Sequence, residues 1–219
     1  MIRKATLSDL DAVEQLYNEL HDAKEAGLVP VIWQRGVYPT RETASSALDR
    51  DELFVLDNDG KIIGSAIINQ TQYDFYADMP WKYETPDDQV CVMHTLMISP
   101  TEFGKGYARS FLDFYEKYAR EHGCPELRID TNERNTAART MYRKHGYEEI
   151  GTVPTVFNGI SGVNLVLLEK HLIRNRELYL QQKQLLDTFL EHGAISQAQY
   201  DKSLGDLTEK MGVKEHEQI

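Results

Sequence analysis

From Ile2 to about Lys170 the apolar residues shift repeatedly between a two-residue and a 3.6-residue period, and Gly, Pro, Asn or Asp marks most of the changes. "MIRKAT" reads as a short strand. Leu10, Val13, Leu16, Tyr17 and Leu20 then fall at helical spacing behind Thr6-x-x-Asp9, a capping box that predicts a helix through "TLSDLDAVEQLYNELHDA". The loop "GLVPVIWQRGVYPT" leads to a second helix, capped by Thr40 and running to about Leu48. "ELFVLDNDGKIIGSAIINQ" predicts a hairpin turned at Asp59-Gly60. The aromatic and acidic "TQYDFYADMPWKYETPDD" predicts a long connection to the strand "QVCVMHTLMIS", which Pro100 ends. A helix with Phe111, Phe114, Tyr115 and Tyr118 on its buried stripe follows, then the strand "PELRIDTN". The helix "NTAARTMYRKHGY", stopped by Gly146, and the strands "EEIGTVPTVF" and "GVNLVLLEK" close the pattern.

Beyond residue 170 the strand signal stops. "RNRELYLQQKQLLDTFLEHG" and "ISQAQYDKSLGDLTEKMG" predict two helices, Gly193 stopping the first and Ser196-x-x-Gln199 capping the second. The expected organisation is an α/β domain over 1–170 and a helical extension over 171–219. The extension resembles the short C-terminal oligomerisation hairpins of the SHOCT type, which would make it a homodimer contact. An extra helix pair packed on the main domain is the alternative.

The composition is that of an ordinary globular protein, with 41% hydrophobic and 27% charged residues in 219. No apolar run approaches the roughly 20 residues that span a bilayer, and the N-terminus lacks the apolar core of a secretory signal. Cys91 and Cys124 match no metal-ligand spacing, so no metal site and a reducing, cytoplasmic setting are expected. A net charge of −11 argues against nucleic acid and anionic membranes as partners, since both need basic surface.

The candidate chemistry starts at "SPTEFGKGYARSF". Gly104 and Gly106 sit where a strand gives way to a helix, and a helix N-terminus offers unpaired N–H groups and partial positive charge to phosphate oxygens. A Walker A loop is excluded, because no Gly-Lys-Ser/Thr follows at the required spacing. A dinucleotide-binding fingerprint fits poorly: Arg109 stands at the third glycine position and no acidic strand end follows at the expected distance. Phe103-Gly-Lys-Gly106-Tyr-Ala108 after "HTLMIS", with Asn135-x-x-Ala138-x-x-x-Tyr142-x-x-x-Gly146-Tyr147 further on, resembles the paired motifs of the GNAT N-acetyltransferases. "IRKATLSDLDAVEQLY" resembles that family's strand–helix opening, so the resemblance covers residues 1 to about 170. Phe103 departs from it, standing where Gln or Arg is usual.

The resemblance implies a GNAT fold: a mixed, mostly antiparallel sheet whose fourth and fifth strands splay apart, flanked by helices. It implies acetyl transfer from acetyl-CoA to a primary amine through a tetrahedral intermediate. The pyrophosphate would lie on the N–H groups of Phe103, Gly104, Lys105, Gly106, Tyr107 and Ala108. The pantetheine arm would pair with Leu96-Met97-Ile98, and Asn135 would hydrogen-bond it. Tyr142 takes the family position of the general acid that meets the departing thiolate, the alternative being a core aromatic. Three histidines, His122, His145 and His192, each precede a Gly at a helix end, whereas His94 lies in a strand. It resembles the family histidine that leads the amine's proton away, with water or a Glu as the alternative base. Trp33, Tyr38 and Trp81 lie in the two segments that line the acceptor pocket in the family. The expected function is N-acetylation of a small-molecule amine. Peptide or protein acetylation, and a non-catalytic acyl-CoA-binding regulatory module, are the alternatives.

Overall fold

In the computed structural model, which describes residues 1–172 and 175–211, the Thr6 N–H and hydroxyl each lie 2.8 Å from Asp9 Oδ2. This cap turns the chain from β1 (Ile2–Lys4) into α1 (Leu10–Glu25). Val13, Leu16, Tyr17 and Leu20 form the buried stripe of α1, and Ala44 and Ala47 bring α2 (Arg41–Asp49) into the same cluster. Both helices cover one face of the sheet, against Leu53 and Val55 of β2 (Leu53–Asn58) and Ile67 of β3 (Lys61–Asn69). Each fully buried aliphatic side chain there contributes about 1.5–3 kcal/mol. Asp59 and Gly60 join β2 to β3 with φ of +53° and +85°, the geometry that the right-handed twist of a tight hairpin demands.

β4 (Val90–Ile98) runs antiparallel to β3, and α3 (Tyr107–Glu121) carries the chain to β5 (Glu126–Asn132), parallel to β4. After α4 (Thr136–Lys144) come β6 (Glu148–Phe157) and β7 (Ile160–His171), with β7 between β5 and β6. The sheet order is β1-β2-β3-β4-β5-β7-β6, antiparallel except at β4–β5. That one parallel pair needs a crossover, and α3 supplies it. Fully buried Phe111, Leu112, Tyr115 and Ala119 form the stripe of α3, and the Tyr115 hydroxyl donates to Cys91 O at 2.5 Å. Phe114 and Tyr118, expected on that stripe, are only half-buried and flank Phe54 at its margin. Gly64 lets α3 close on the sheet, since a Cβ there would stand 2.8 Å from Ile98 and 3.2 Å from Phe111.

Two irregularities shape the middle of the sheet. β4 pairs with β5 only from Val90↔Glu126 to Met93↔Ile129, after which β5 pairs on with β7 alone and β4 diverges. Among the described residues, the outer edge of β4 beyond Met93 therefore has no strand beside it. On its other edge, Ile67 faces His94 and Ser65 faces Met97, so Thr95 and Leu96 together oppose Ala66. Thr95 takes φ +52°, and the extra residue makes a β-bulge. The bulge breaks the alternation: His94 shares a face with Met97, not with Leu96 and Ile98 as uniform strand spacing predicts.

The connection of residues 70–89 is held on the α1/α2 side of the sheet by Tyr76, which packs with Val90, Val92 and Leu167. The second compact unit begins at Leu172 and is a hairpin of α5 (Asn175–Glu191) and α6 (Gln197–Met211). Tyr179 and Leu207 form its small core, Gly193 (φ +68°) ends α5, and Ser196 and Gln199 make the expected capping box.

Candidate active site

Between β4 and α3 the chain makes one tight turn at Pro100–Glu102, extends at Phe103, and passes through left-handed conformations at Gly104 (φ +78°) and Gly106 (φ +86°). Nothing lies within 4 Å of a Cβ built at either glycine, so conformation and not space calls for glycine there. The first N–H of α3 to reach a carbonyl is that of Ser110, 3.1 Å from Gly106 O. The Phe103 N–H, expected in the row, instead turns back to Pro100 O at 3.5 Å, whereas among the described residues the N–H groups of residues 104–109 have no backbone acceptor. This is a row of donors at a helix N-terminus, open on one side.

The row opens into a cavity of about 660 Å³ that also takes in the splayed strands, reached by Met93 to Ile98 on one side and Asp130 to Asn132 on the other. Its far wall is apolar, with Val31, Ile32, Trp33, Tyr38, Phe157 and Leu165. Phe103, Gly104, Gly106, Tyr107 and Ala108 all border it, but the Lys105 ammonium turns aside to Glu102 at 2.8 Å. Asn135 borders it as the N-cap of α4, spending its Oδ1 on Ala138 N at 3.2 Å and keeping its amide donors.

Tyr142 projects from α4 into the cavity wall beside Tyr147, and no hydrogen bond to its hydroxyl is made within the described residues. Burial, reinforced by the Asp130 charge, raises its pKa above the ordinary phenol value, so it is a neutral donor at any physiological pH. His94 borders the cavity with its Nε2 3.0 Å from Thr71 O and 3.1 Å from Asn69 Oδ1. Both neighbours accept, so Nε2 carries the proton and the buried Nδ1 holds an unused lone pair. Burial pushes the imidazole pKa down to about 4. Trp33 and Tyr38 meet edge to face at 6.1 Å, and the Tyr38 hydroxyl bonds the Thr95 hydroxyl in the bulge.

Trp81, expected beside Trp33 and Tyr38, does not border the cavity. Its Nε1 donates to Tyr76 O at 2.8 Å, and its ring stacks 4.0 Å under the Arg128 guanidinium. It braces the 70–89 connection against β5 instead. The sequence reading also passed over Asp130, a carboxylate on the cavity wall just past the last β4–β5 pair. Asp130 Oδ2 accepts from the Tyr76 hydroxyl at 2.8 Å, and burial pushes the carboxyl up to about 6. The available signal was an acid in "LRIDTN", two residues from Arg128 and therefore on the same face of a strand that is otherwise buried.

Residues 13–147 match the model of the Acetyltransferase (GNAT) family. Among solved structures, a GNAT-family acetyltransferase from Streptococcus agalactiae is 24% identical at a TM-score of 0.65, over 78% of this chain and 94% of that one. A ribosomal-protein-alanine N-acetyltransferase from Brucella melitensis is 22% identical (TM-score 0.59, 78% and 99%). An acetyltransferase from Salmonella typhimurium, solved with its cofactor acetyl-CoA, is 18% identical (TM-score 0.59, 79% and 94%). No curated protein matches the chain.

Proposed function

Because the chain belongs to the acetyltransferase (GNAT) family, we propose that it is an acetyl-CoA-dependent N-acetyltransferase whose acceptor is a small-molecule primary amine. One observation carries the small-molecule part: the donor row and the apolar wall border the same cavity of about 660 Å³, ample for a slim acyl-carrying arm and a compact amine. The residues present fit the donor. The unpaired N–H groups of 104–109 suit a pyrophosphate, and the open edge of β4 beyond Met93 suits an extended amide-bearing arm. Asn135 has its amide N–H groups free for the same arm. Bound there, acetyl-CoA supplies an activated acetyl thioester.

The chain's own contribution is to orient the thioester and stabilise the charge that builds up on oxygen and sulfur. With acetyl-CoA held there, a backbone N–H of the Leu96–Ile98 segment would be the donor for charge on the acyl oxygen, and the Tyr142 hydroxyl, on the same cavity wall, would donate to the leaving sulfur. An ordinary thiol has a pKa near 8.5, below that of the raised phenol, so Tyr142 acts by hydrogen bonding and stays protonated. His94 is unprotonated at neutral pH, but a base of pKa about 4 draws a proton from an amine only weakly.

Acetyl-CoA is expected to raise the melting temperature. Tyr142→Phe is expected to lower kcat by about 100-fold, the scale of one lost transition-state donor, and to leave acetyl-CoA affinity unchanged. Full turnover in that variant would return Tyr142 to the core. A peptide acceptor, suggested by the likeness to a ribosomal-protein enzyme, predicts faster acetylation of alanyl peptides than of free amines.

A further inference from the structure

We propose that Asp130 is the acceptor-side catalytic residue: it binds the substrate's ammonium in the fork between β4 and β5, takes its proton, and with the apolar wall selects a hydrophobic primary monoamine. The inference rests on the acetyltransferase reading of the cavity.

Asp130 ends a row of charged residues on one face of β5, after Glu126 and Arg128. The other members of this neighbourhood have partners. Glu126 takes His171 at 3.0 Å, Arg128 bonds Gln72 and stacks on Trp81, and Glu169 accepts the Lys82 N–H at 3.0 Å. Among the described residues Asp130 has only the neutral Tyr76 hydroxyl, on one oxygen. Among the described residues no cation stands beside it. A desolvated carboxylate with one oxygen held and no counter-ion is an expensive arrangement unless a cation arrives. Its position at the cavity says from where. The phenols of Tyr38, Tyr73, Tyr76 and Tyr142, from the loop before α2, the 70–89 connection and α4, lie within its field, all of them protonated at neutral pH. His94, across the fork on β4, is uncharged there as well.

The lining also limits the rest of the acceptor. Among the described residues Asp130 is the one acid on the acceptor side; the other charged lining residues, Glu102 and Arg109, belong to the donor loop and the first turn of α3. A polyamine would leave its further ammonium groups against Trp33, Ile32 and Phe157, unpaired. An amino acid would find no cation on that side for its carboxylate. An alkyl or arylalkyl amine satisfies both ends, nitrogen on Asp130 and hydrocarbon on the aromatic wall.

The proton balance is simple. The ammonium gives one proton to Asp130, and the nitrogen's lone pair forms the C–N bond as the C–S bond breaks. The second proton lost by nitrogen ends on the sulfur, and the proton on Asp130 leaves to solvent with the amide. Asp130, at about 6, is the stronger base than His94, at about 4, yet remains ionised at neutral pH and ready to receive.

The test is acetyl-CoA consumption by the full chain with 2-phenylethylamine, hexylamine, spermidine, lysine and an alanyl peptide, beside acetyl-CoA affinity by calorimetry. The two monoamines are expected to be the best acceptors. Asp130→Asn should lower kcat/KM for them by about 100-fold or more with acetyl-CoA affinity unchanged. Tyr76→Phe removes a bond that holds the carboxyl pKa down, so the acidic limb of the kcat/KM profile should move up by roughly 0.5–1 unit while the plateau survives. Preference for spermidine, lysine or the peptide overturns the proposal, as does an Asp130→Asn variant of full activity or an unmoved limb in Tyr76→Phe. Wild-type protein that binds no acetyl-CoA would instead overturn the acetyltransferase reading beneath it.

Discussion

Asp130→Asn should stabilise the empty protein, and only above about pH 5. Burial raises the carboxyl from 3.8 to about 6, so the folded state binds its proton more tightly than the unfolded chain does. For a raised carboxyl the sign is unfavourable: nothing is lost below 3.8, stability falls as pH rises through the window to about 6, and the loss is constant above it. Two units at 1.36 kcal/mol each set a ceiling of about 3 kcal/mol, and water at the cavity-facing oxygen brings it to roughly 1–3 kcal/mol. Asparagine removes the charge and keeps an oxygen for the Tyr76 hydroxyl. For a unit of this size the gain is about 2–9 °C in melting temperature at pH 8, shrinking towards zero at pH 4. Paired melts of wild type and variant across that range, without ligand, measure it. Groups that titrate equally in both proteins, such as Glu126 with its carboxyl pushed up to about 7, cancel in the difference. A difference independent of pH, or a variant less stable at pH 8, would refute the claim that this carboxylate is held desolvated and uncompensated.

Gly106→Ala forces a side chain into φ +86°, at about 1–2 kcal/mol, and should weaken acetyl-CoA binding about tenfold by turning the donor row; an unchanged affinity in calorimetry would separate the glycine from the donor. Trp81→Ala removes a half-buried ring from between Tyr76 and Arg128 and should cost roughly 2–3 kcal/mol in denaturant unfolding with acetyl-CoA affinity intact; a loss of that affinity, with stability unchanged, would put Trp81 back in the cavity.

Most elements of the fold were legible because each is marked locally. Thr6 with Asp9, Thr40, Asp59-Gly60, Gly146 and Gly193 are turn and cap chemistry that acts within a few residues. The turn that leaves the 104–109 N–H groups unpaired was legible for the same reason, since Gly104 and Gly106 mark it within one short stretch. The bulge at Thr95 was not. No Gly or Pro announces it, and it arises because β4 must follow β3 on one edge while leaving β5 on the other. Uniform alternation without it would set His94 on the face of Leu96 and Ile98 instead of that of Met97. Trp81 failed differently: a loop aromatic among acids reads as a ligand contact, but Arg128, 47 residues on, claims its ring. Asp130 was passed over because an acid at a strand's end is ordinary when exposed, and only the pairing with Tyr76, 54 residues away, shows that it is not.

The two halves of the cavity therefore differ in how evolution can edit them. The proposed donor half is backbone: the N–H groups of residues 104–109 and a strand edge left unpaired among the described residues, neither of which depends on side-chain identity. The acceptor half is side chains from the 28–38 loop, the 70–89 connection, β5 and the β6–β7 hairpin, which meet only after folding. A single change there alters which amine is satisfied. An added carboxylate on the apolar wall, as in Phe157→Glu, would give a second ammonium its counter-charge and should shift preference from monoamines towards diamines, at the cost of a charge desolvated whenever the site is empty. Asp130 already carries that cost once. The fork tolerates it because Tyr76 holds one oxygen and the substrate supplies the missing cation, so a group that destabilises the empty cavity is the one that gives its acceptor end a chemistry.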